Sequence, residues 1–270
     1  MPDHDFLPAP VPDVAPPRLA LIGGGAIVLL LGLLLTAMLL IRSYAPPAFY
    51  SESQKVWAHR GYVGDGLMEN TIPAFRRAFE LGAPGTELDI FFDQSRSRFV
   101  VTHDAPESFD HDDLLTLNDV FHALGNEHLY WLDFKNLAQL APEQARTAVN
   151  GLLSLQQQHA LADKLIVEST HAQNLSLFSR AGIPTSYWVM FDPDASHAKL
   201  SFYLWKVRLE LYRGGFSALS MDHRQFTPRV ESTFARIPIH LFTVNDPVRL
   251  DTLVSKENVR VILTDLNRYR

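Results

Sequence analysis

The chain has no cysteine in its 270 residues. Disulfides, thiolate metal sites and a cysteine nucleophile are therefore excluded, although this does not fix the compartment. It also has no excess of positive charge. The net charge is -6, so the overall balance offers no pull toward nucleic acid or anionic lipid. Charged residues make up only 20% against 47% apolar, a globular composition with one hydrophobic segment added.

That segment is Leu19–Ile41, "LALIGGGAIVLLLGLLLTAMLLI", without a charge. As a helix rising about 1.5 Å per residue it spans roughly 35 Å, enough for a bilayer core. It exceeds a signal-peptide core of about 7 to 15 residues. It reads as a retained transmembrane helix, with a long cleaved signal as the alternative. Arg18 and Arg42 flank it on both sides, so the positive-charge rule gives no orientation. Residues 1–18, rich in proline and aspartate, read as a disordered tail. Residues 42–54 read as a juxtamembrane linker, and 55–270 as one domain.

Strand and helix signals alternate along that domain. Strands are expected at Val56–Ala58, Gly85–Phe92, Arg98–Thr102, Tyr130–Phe134, Lys164–Glu168, Thr185–Met190, Ala218–Met221, Ile239–Val244 and Val259–Leu263. Helices are expected at Ile72–Leu81, Leu117–Leu124, Pro142–His159, His171–Ala181 and Pro247–Ser255. The βα rhythm predicts an α/β fold, a TIM-type (β/α)8 barrel preceded by one N-terminal transmembrane helix. One connection breaks the rhythm. Only Asp93–Ser97 join the second and third strands, and a parallel crossover needs about a dozen residues or more. Either this pair is a hairpin or one of the nine strands lies outside the closed barrel.

Barrel chemistry collects at the C-terminal strand ends. His59, Glu87, Asp89, His103 and Asp133 all fall at or near such ends. Glu87 and Asp89 are two apart, so they share one face of a strand. Inward carboxylates repel unless neutralised, and a divalent cation with oxygen ligands does this. Asp133 supplies a third carboxylate, and Lys135 points to the same face. Singly, each has an ordinary reading as an ion-pair partner, loop cap or solvated charge. Their joint occurrence in strand order favours function.

"HRG" at His59–Gly61, "ENTIPAF" at Glu69–Phe75, "ELDI" at Glu87–Ile90 and "VVTHD" at Val100–Asp104 resemble the glycerophosphodiester phosphodiesterase family. "TLNDVF", "LDFK", "VEST", "FTVND" and "ILTD" follow in that family's order. The resemblance implies a metal site at Glu87, Asp89 and Asp133 for Ca2+ or Mg2+. It implies His59 and His103 as acid–base groups, and Arg60, Glu69 and Lys135 as substrate-binding groups. It also implies a glycerophosphodiester or lysophospholipid substrate, with no nucleic-acid partner. The expected localisation is single-pass in a membrane through the N-terminal helix, with the catalytic domain on the outer, periplasmic side. A phospholipase D-like enzyme acting on lysophospholipid headgroups and an inactive phosphodiester-binding protein are the alternatives.

The chain departs from the family pattern in three places. Met68 stands where a proline usually precedes ENT, and Asp133 where a glutamate is usual. The stretch from His103 to Asp133 is short, so the usual capping insertion is nearly absent and an open barrel mouth is expected. Asn245 reads as the cap of the helix beginning at Pro247, with a contact to substrate as the alternative. The aromatics of Leu200–Tyr212 read as core or helix packing, with a lipid-binding surface as the alternative, and the histidines outside the motifs, His240 among them, as structural or exposed.

Overall fold

The computed structural model describes residues 18–46, 48–50, 54–192 and 194–269, without the side chains of 18–26. The tail expected at 1–18 lies, but for Arg18, outside them. The chain divides into two units, one ending at Ser43 and the other beginning at Tyr44.

The first unit is a single helix, α1 (Arg18–Ser43). Its leucines and alanines are strong helix formers. Ile27, Leu31, Leu35 and Leu39 are all exposed. Thr36 donates its hydroxyl to the Gly32 carbonyl at 2.9 Å, so its polar group is satisfied inside the helix. Among the described residues no helix is long and apolar enough to cross a membrane. The span expected at 19–41 begins in the part of α1 whose side chains fall outside them.

Among its described residues the second unit holds nine strands: β1 (Val56–Ala58), β2 (Gly85–Asp93), β3 (Arg98–Val101), β4 (Leu129–Phe134), β5 (Leu165–Ser169), β6 (Thr185–Trp188), β7 (Ala218–Asp222), β8 (Ile239–Phe242) and β9 (Val259–Thr264). Eight of them run parallel in the order β1-β9-β8-β7-β6-β5-β4-β2, and a β1–β2 pairing closes the barrel. Both halves of the alternative left open by the short connection hold. β2 gives its first part to β4, then its last residues, Ile90–Asp93, pair antiparallel with β3. The turn is fixed by Asp93, which accepts from Ser95 and pairs with Arg98 at 3.1 Å.

Helices α2 (Ile72–Glu80), α3 (Leu117–Leu124), α4 (Pro142–Gln158), α5 (Ala172–Arg180), α6 (His197–Gly214), α7 (Pro228–Thr233) and α8 (Pro247–Val254) connect the strands. Their starts follow side-chain caps that satisfy orphan backbone N–H groups: Thr71, Thr116 with Asp119, Ser196, Thr227 and Asp246. The cap of α8 is thus Asp246 rather than Asn245. The expected core reading of the Leu200–Tyr212 aromatics also needs correction. Leu204, Val207 and Leu211 face the core of α6, whereas Phe202, Trp205 and Tyr212 are exposed.

Apolar side chains fill the space between helices and barrel. A second cluster lies inside the barrel and contains Trp57, Trp131, Ile166, Val261 and Leu263. Tyr50 joins it, its ring edge-on to Trp57 at 5.3 Å. Tyr44 donates to the Phe216 carbonyl at 3.1 Å. Two residues of the expected linker, Tyr44 and Tyr50, are thus tied to the barrel unit.

His240 sits in the same interior, its ring 5.1 Å from that of Trp131, with neither nitrogen hydrogen-bonded. Burial lowers its pKa from 6.5 to about 3. The unfolded chain therefore binds a proton below pH 6.5 that the folded chain refuses, so stability falls as pH drops through that window. At roughly 1.4 kcal/mol per pH unit, this contribution costs on the order of 3 kcal/mol between pH 7 and pH 4. The His240→Phe variant should lose that part of the acid sensitivity. Denaturant unfolding at both pH values measures it, and the contributions of the buried acids are common to both proteins. Equal pH slopes for the two proteins would show that His240 does not titrate on unfolding.

Candidate active site

The site grows from the loop after β1. Its first residue beyond the strand is His59, and Arg60 follows with a left-handed φ of 55°. Gly61 has φ 85°, and a Cβ there would meet the Ala74 backbone at 2.8 Å. Only glycine lets the chain turn this close to α2. The loop closes when Asn70 donates its backbone N–H to the Arg60 carbonyl at 3.0 Å. This is the physical content of the HRG and ENT motifs: a tight turn that aims backbone and side chains at β2.

Three groups of that loop grip β2. The Arg60 N–H donates to Glu87 Oε2 at 3.0 Å. Asn70 Nδ2 donates to Asp89 Oδ2 at 2.7 Å, and Asn70 Oδ1 accepts from the Asp89 N–H at 3.1 Å. The Arg60 Nε lies 2.9 Å from Asp89 Oδ2. Glu69 turns outward, paired with Arg60 at 3.0 Å and partly exposed. It steadies the arginine from the solvent side and does not line the cavity.

Neighbouring strands complete the cluster. Asp133 on β4 pairs in register with Asp89, and oxygens of Glu87, Asp89 and Asp133 lie within 4.8 Å of one another. Lys135 bridges two of them, its Nζ 2.6 Å from Asp89 Oδ1 and 2.5 Å from Asp133 Oδ2. Burial raises Glu87 well above the usual carboxylate range, reinforced by Asp89 and Asp133. Burial also raises Asp133, outweighing Lys135. At Asp89 burial pushes up, but Lys135, Arg60 and Asn70 together hold the carboxyl below its usual value. The same carboxylates outweigh burial at Lys135 and raise its pKa, so it stays charged.

The histidines differ in their support. His59 Nδ1 lies 2.8 Å from Asp265 Oδ1. Asp265 is in turn held by Asn245, which donates at 2.6 Å and accepts from the Asp265 N–H at 2.9 Å. Burial opposes ionisation of Asp265, but the bonds from His59 and Asn245 keep its pKa low. His103 has only Asp104, at 2.8 Å, and that carboxylate is 93% exposed. His59, Arg60, Glu87, His103, Asp133 and Lys135 line one cavity of about 250 Å³ at the barrel mouth. Asp89 lies under them, fully buried.

Of the residues expected at the site, all but Glu69 converge on this cavity or its floor. Asn70, Asp265 and Glu168 are not among the expected residues, and Asn245 was expected foremost as a helix cap. Asn70 and Asp265 stand inside the ENT and ILTD motifs, so the signal was present in the sequence. Glu168 is the penultimate residue of β5, in "VEST", and its place beside Asp133 follows from strand register.

An eight-stranded parallel barrel with carboxylates and histidines gathered at its C-terminal mouth is the class that fold and site define. No family model and no curated protein matches the chain. Among solved structures it is similar to a glycerophosphodiester phosphodiesterase from Parabacteroides distasonis, at 22% identity and a TM-score of 0.64, covering 80% of this chain and 94% of that one. One from Thermotoga maritima shares 20% identity with a TM-score of 0.59, over 80% and 96% of the two chains. An Oleispira antarctica phosphodiesterase in complex with the product sn-glycerol-3-phosphate shares 19% at a TM-score of 0.60, over 80% and 94%. At such identities the likeness defines the fold alone.

Proposed function

We propose that the chain is a metal-dependent glycerophosphodiester phosphodiesterase that releases glycerol phosphate and an alcohol. The observation carrying this reading is the convergence of His59, His103, Arg60, Lys135 and acidic residues on one cavity. A binding protein needs no such pair of proton-transfer groups.

The donor set fits a hard cation. Glu87, Asp89 and Asp133 offer closely spaced oxygens and nothing softer, which suits Ca2+ or Mg2+. When bound, the ion would offset charge building on the phosphoryl oxygens. The chain's own groups do the rest. Arg60 and Lys135 hold the anionic diester at the mouth. His59, oriented by Asp265, takes the proton from the attacking hydroxyl as its oxygen bonds to phosphorus. His103 gives a proton to the alcohol oxygen as its bond to phosphorus breaks.

A second reading, in which α1 anchors the chain and lysophospholipids are cleaved, has its own support. The loops after β1 and β6 and the first half of α6 expose apolar residues: Val63, Met68 at 73%, Met190, Phe202 at 67% and Trp205. Such residues suit contact with a lipid surface.

A substrate panel tests both readings. The full-length chain is expected to release choline from glycerophosphocholine, to lose this activity in chelator, and to regain it with Ca2+ or Mg2+. Undiminished turnover after exhaustive chelation would refute the metal-dependent reading. Release of choline from lysophosphatidylcholine vesicles but not from glycerophosphocholine would replace the first reading with the second.

A further inference from the structure

We propose that Glu168 is a fourth carboxylate of the cation site, giving the ion an oxygen either directly or through a bound water. The inference rests on the metal site of the preceding reading and adds a residue that the motifs do not single out.

Four observations converge. Glu168 on β5 pairs in register with Asp133 on β4. In-register side chains of adjacent strands stand on one face, about 5 Å apart, so Glu168 points inward beside Asp133. It is 2% exposed and lines the same cavity as Glu87, Asp133 and the two histidines. Its Oε2 accepts from the Trp131 indole N–H at 2.7 Å. Its Oε1 faces Ser220 Oγ on β7, a contact that works against burial in setting its pKa but lacks the alignment of a full hydrogen bond.

A buried carboxyl with one oxygen anchored and the other unused is costly, and such groups call for an explanation. Accepting one bond from an indole does not require an acid. A group that finishes a cation site does. Asp133 has a side chain one methylene shorter than a glutamate. One of its oxygens is already taken by Lys135. The next strand supplies a longer side chain at the neighbouring position, with a free oxygen.

Charge gives the same answer. The buried acids gathered at the cavity and its floor are Glu87, Asp89, Asp133 and Glu168. The cations packed among them are Arg60 and Lys135. If all ionise, two negative charges remain uncompensated, the charge of one divalent ion.

The test is calorimetric titration of the full-length chain with Ca2+, and with Mg2+ in parallel, beside its Glu87→Gln and Glu168→Gln variants. Glutamine at 168 keeps an acceptor for Trp131. The wild type should bind one ion and Glu87→Gln should lose it. Glu168→Gln should bind at least about 10-fold more weakly, the scale of losses at groups that support a metal. Its unfolding temperature in chelator should be no lower than that of the wild type. Wild-type affinity in Glu168→Gln, with binding lost in Glu87→Gln, overturns this proposal and leaves the metal site standing. Failure of the wild type to bind either ion overturns both. Should Glu168→Gln not fold, Glu168→Asp decides, because it withdraws the charge by one methylene. Undiminished affinity there also overturns the proposal.

Discussion

Alanine at His59 or at His103 should each slow turnover by at least about 100-fold, the usual reach of a positioned acid or base. The two losses have different structural origins. His59 is held by Asp265, and Asp265 by Asn245, so its Nδ1 is engaged and its Nε2 remains for chemistry. This chain of bonds is the arrangement by which a carboxylate fixes the tautomer of a catalytic base. His103 leans only on an exposed aspartate and has the freedom to follow a leaving alcohol. Asp265→Asn should therefore impair turnover through His59, while Asp104→Asn should matter far less. Steady-state kinetics decides the matter, with thermal unfolding as control. Both histidines sit at the rim and add little to the core, so neither alanine variant should unfold more readily. Near-normal turnover in either would remove that histidine from the mechanism.

Lys135→Met should affect stability and activity together. Lys135 neutralises Asp89, which has no exposure, and Asp133. Removing one partner from a buried ion pair costs about 3–5 kcal/mol. In a domain of this size each kcal/mol moves the unfolding midpoint by roughly 2–4 °C. A fall of about 10 °C is therefore expected in chelator. Ca2+ should recover much of it, because an ion between the carboxylates takes over the charge that the ammonium supplied. Turnover should stay low even with the ion present, since the phosphoryl oxygens lose a donor. A chelated midpoint equal to that of the wild type would mean that Lys135 does not support the cluster.

Most of the barrel was legible from the sequence because each strand is a short apolar run between helix caps. Thr71, Thr116 and Asp246 mark helix starts by local chemistry alone. The hairpin of β2 and β3 could only be left open, because loop length excludes a crossover without saying which strand stays in the barrel. Helix α6 resisted for another reason. Its aromatics lie on more than one face, so helical spacing did not separate the buried Leu204 and Val207 from the exposed Phe202 and Trp205. The site residues within motifs were found as types, but their connections were not. That Asn70 clasps Asp89, or that Glu168 stands beside Asp133, depends on contacts between separate strands and loops that no local pattern encodes.

The aromatic filling of the barrel has an electrical consequence. Trp57, Trp131 and His240 place fully buried rings in the barrel interior beneath the carboxylates and their cations. The charged layer thus lies between an insulator below and solvent above. Field lines that cannot spread into the weakly polarisable floor are focused out through the mouth. An approaching anion senses the balance of Arg60 and Lys135 against the acids before it touches any side chain. Whether the mouth attracts or repels a diester is then set by the protonation and ion content of a layer only one side chain thick.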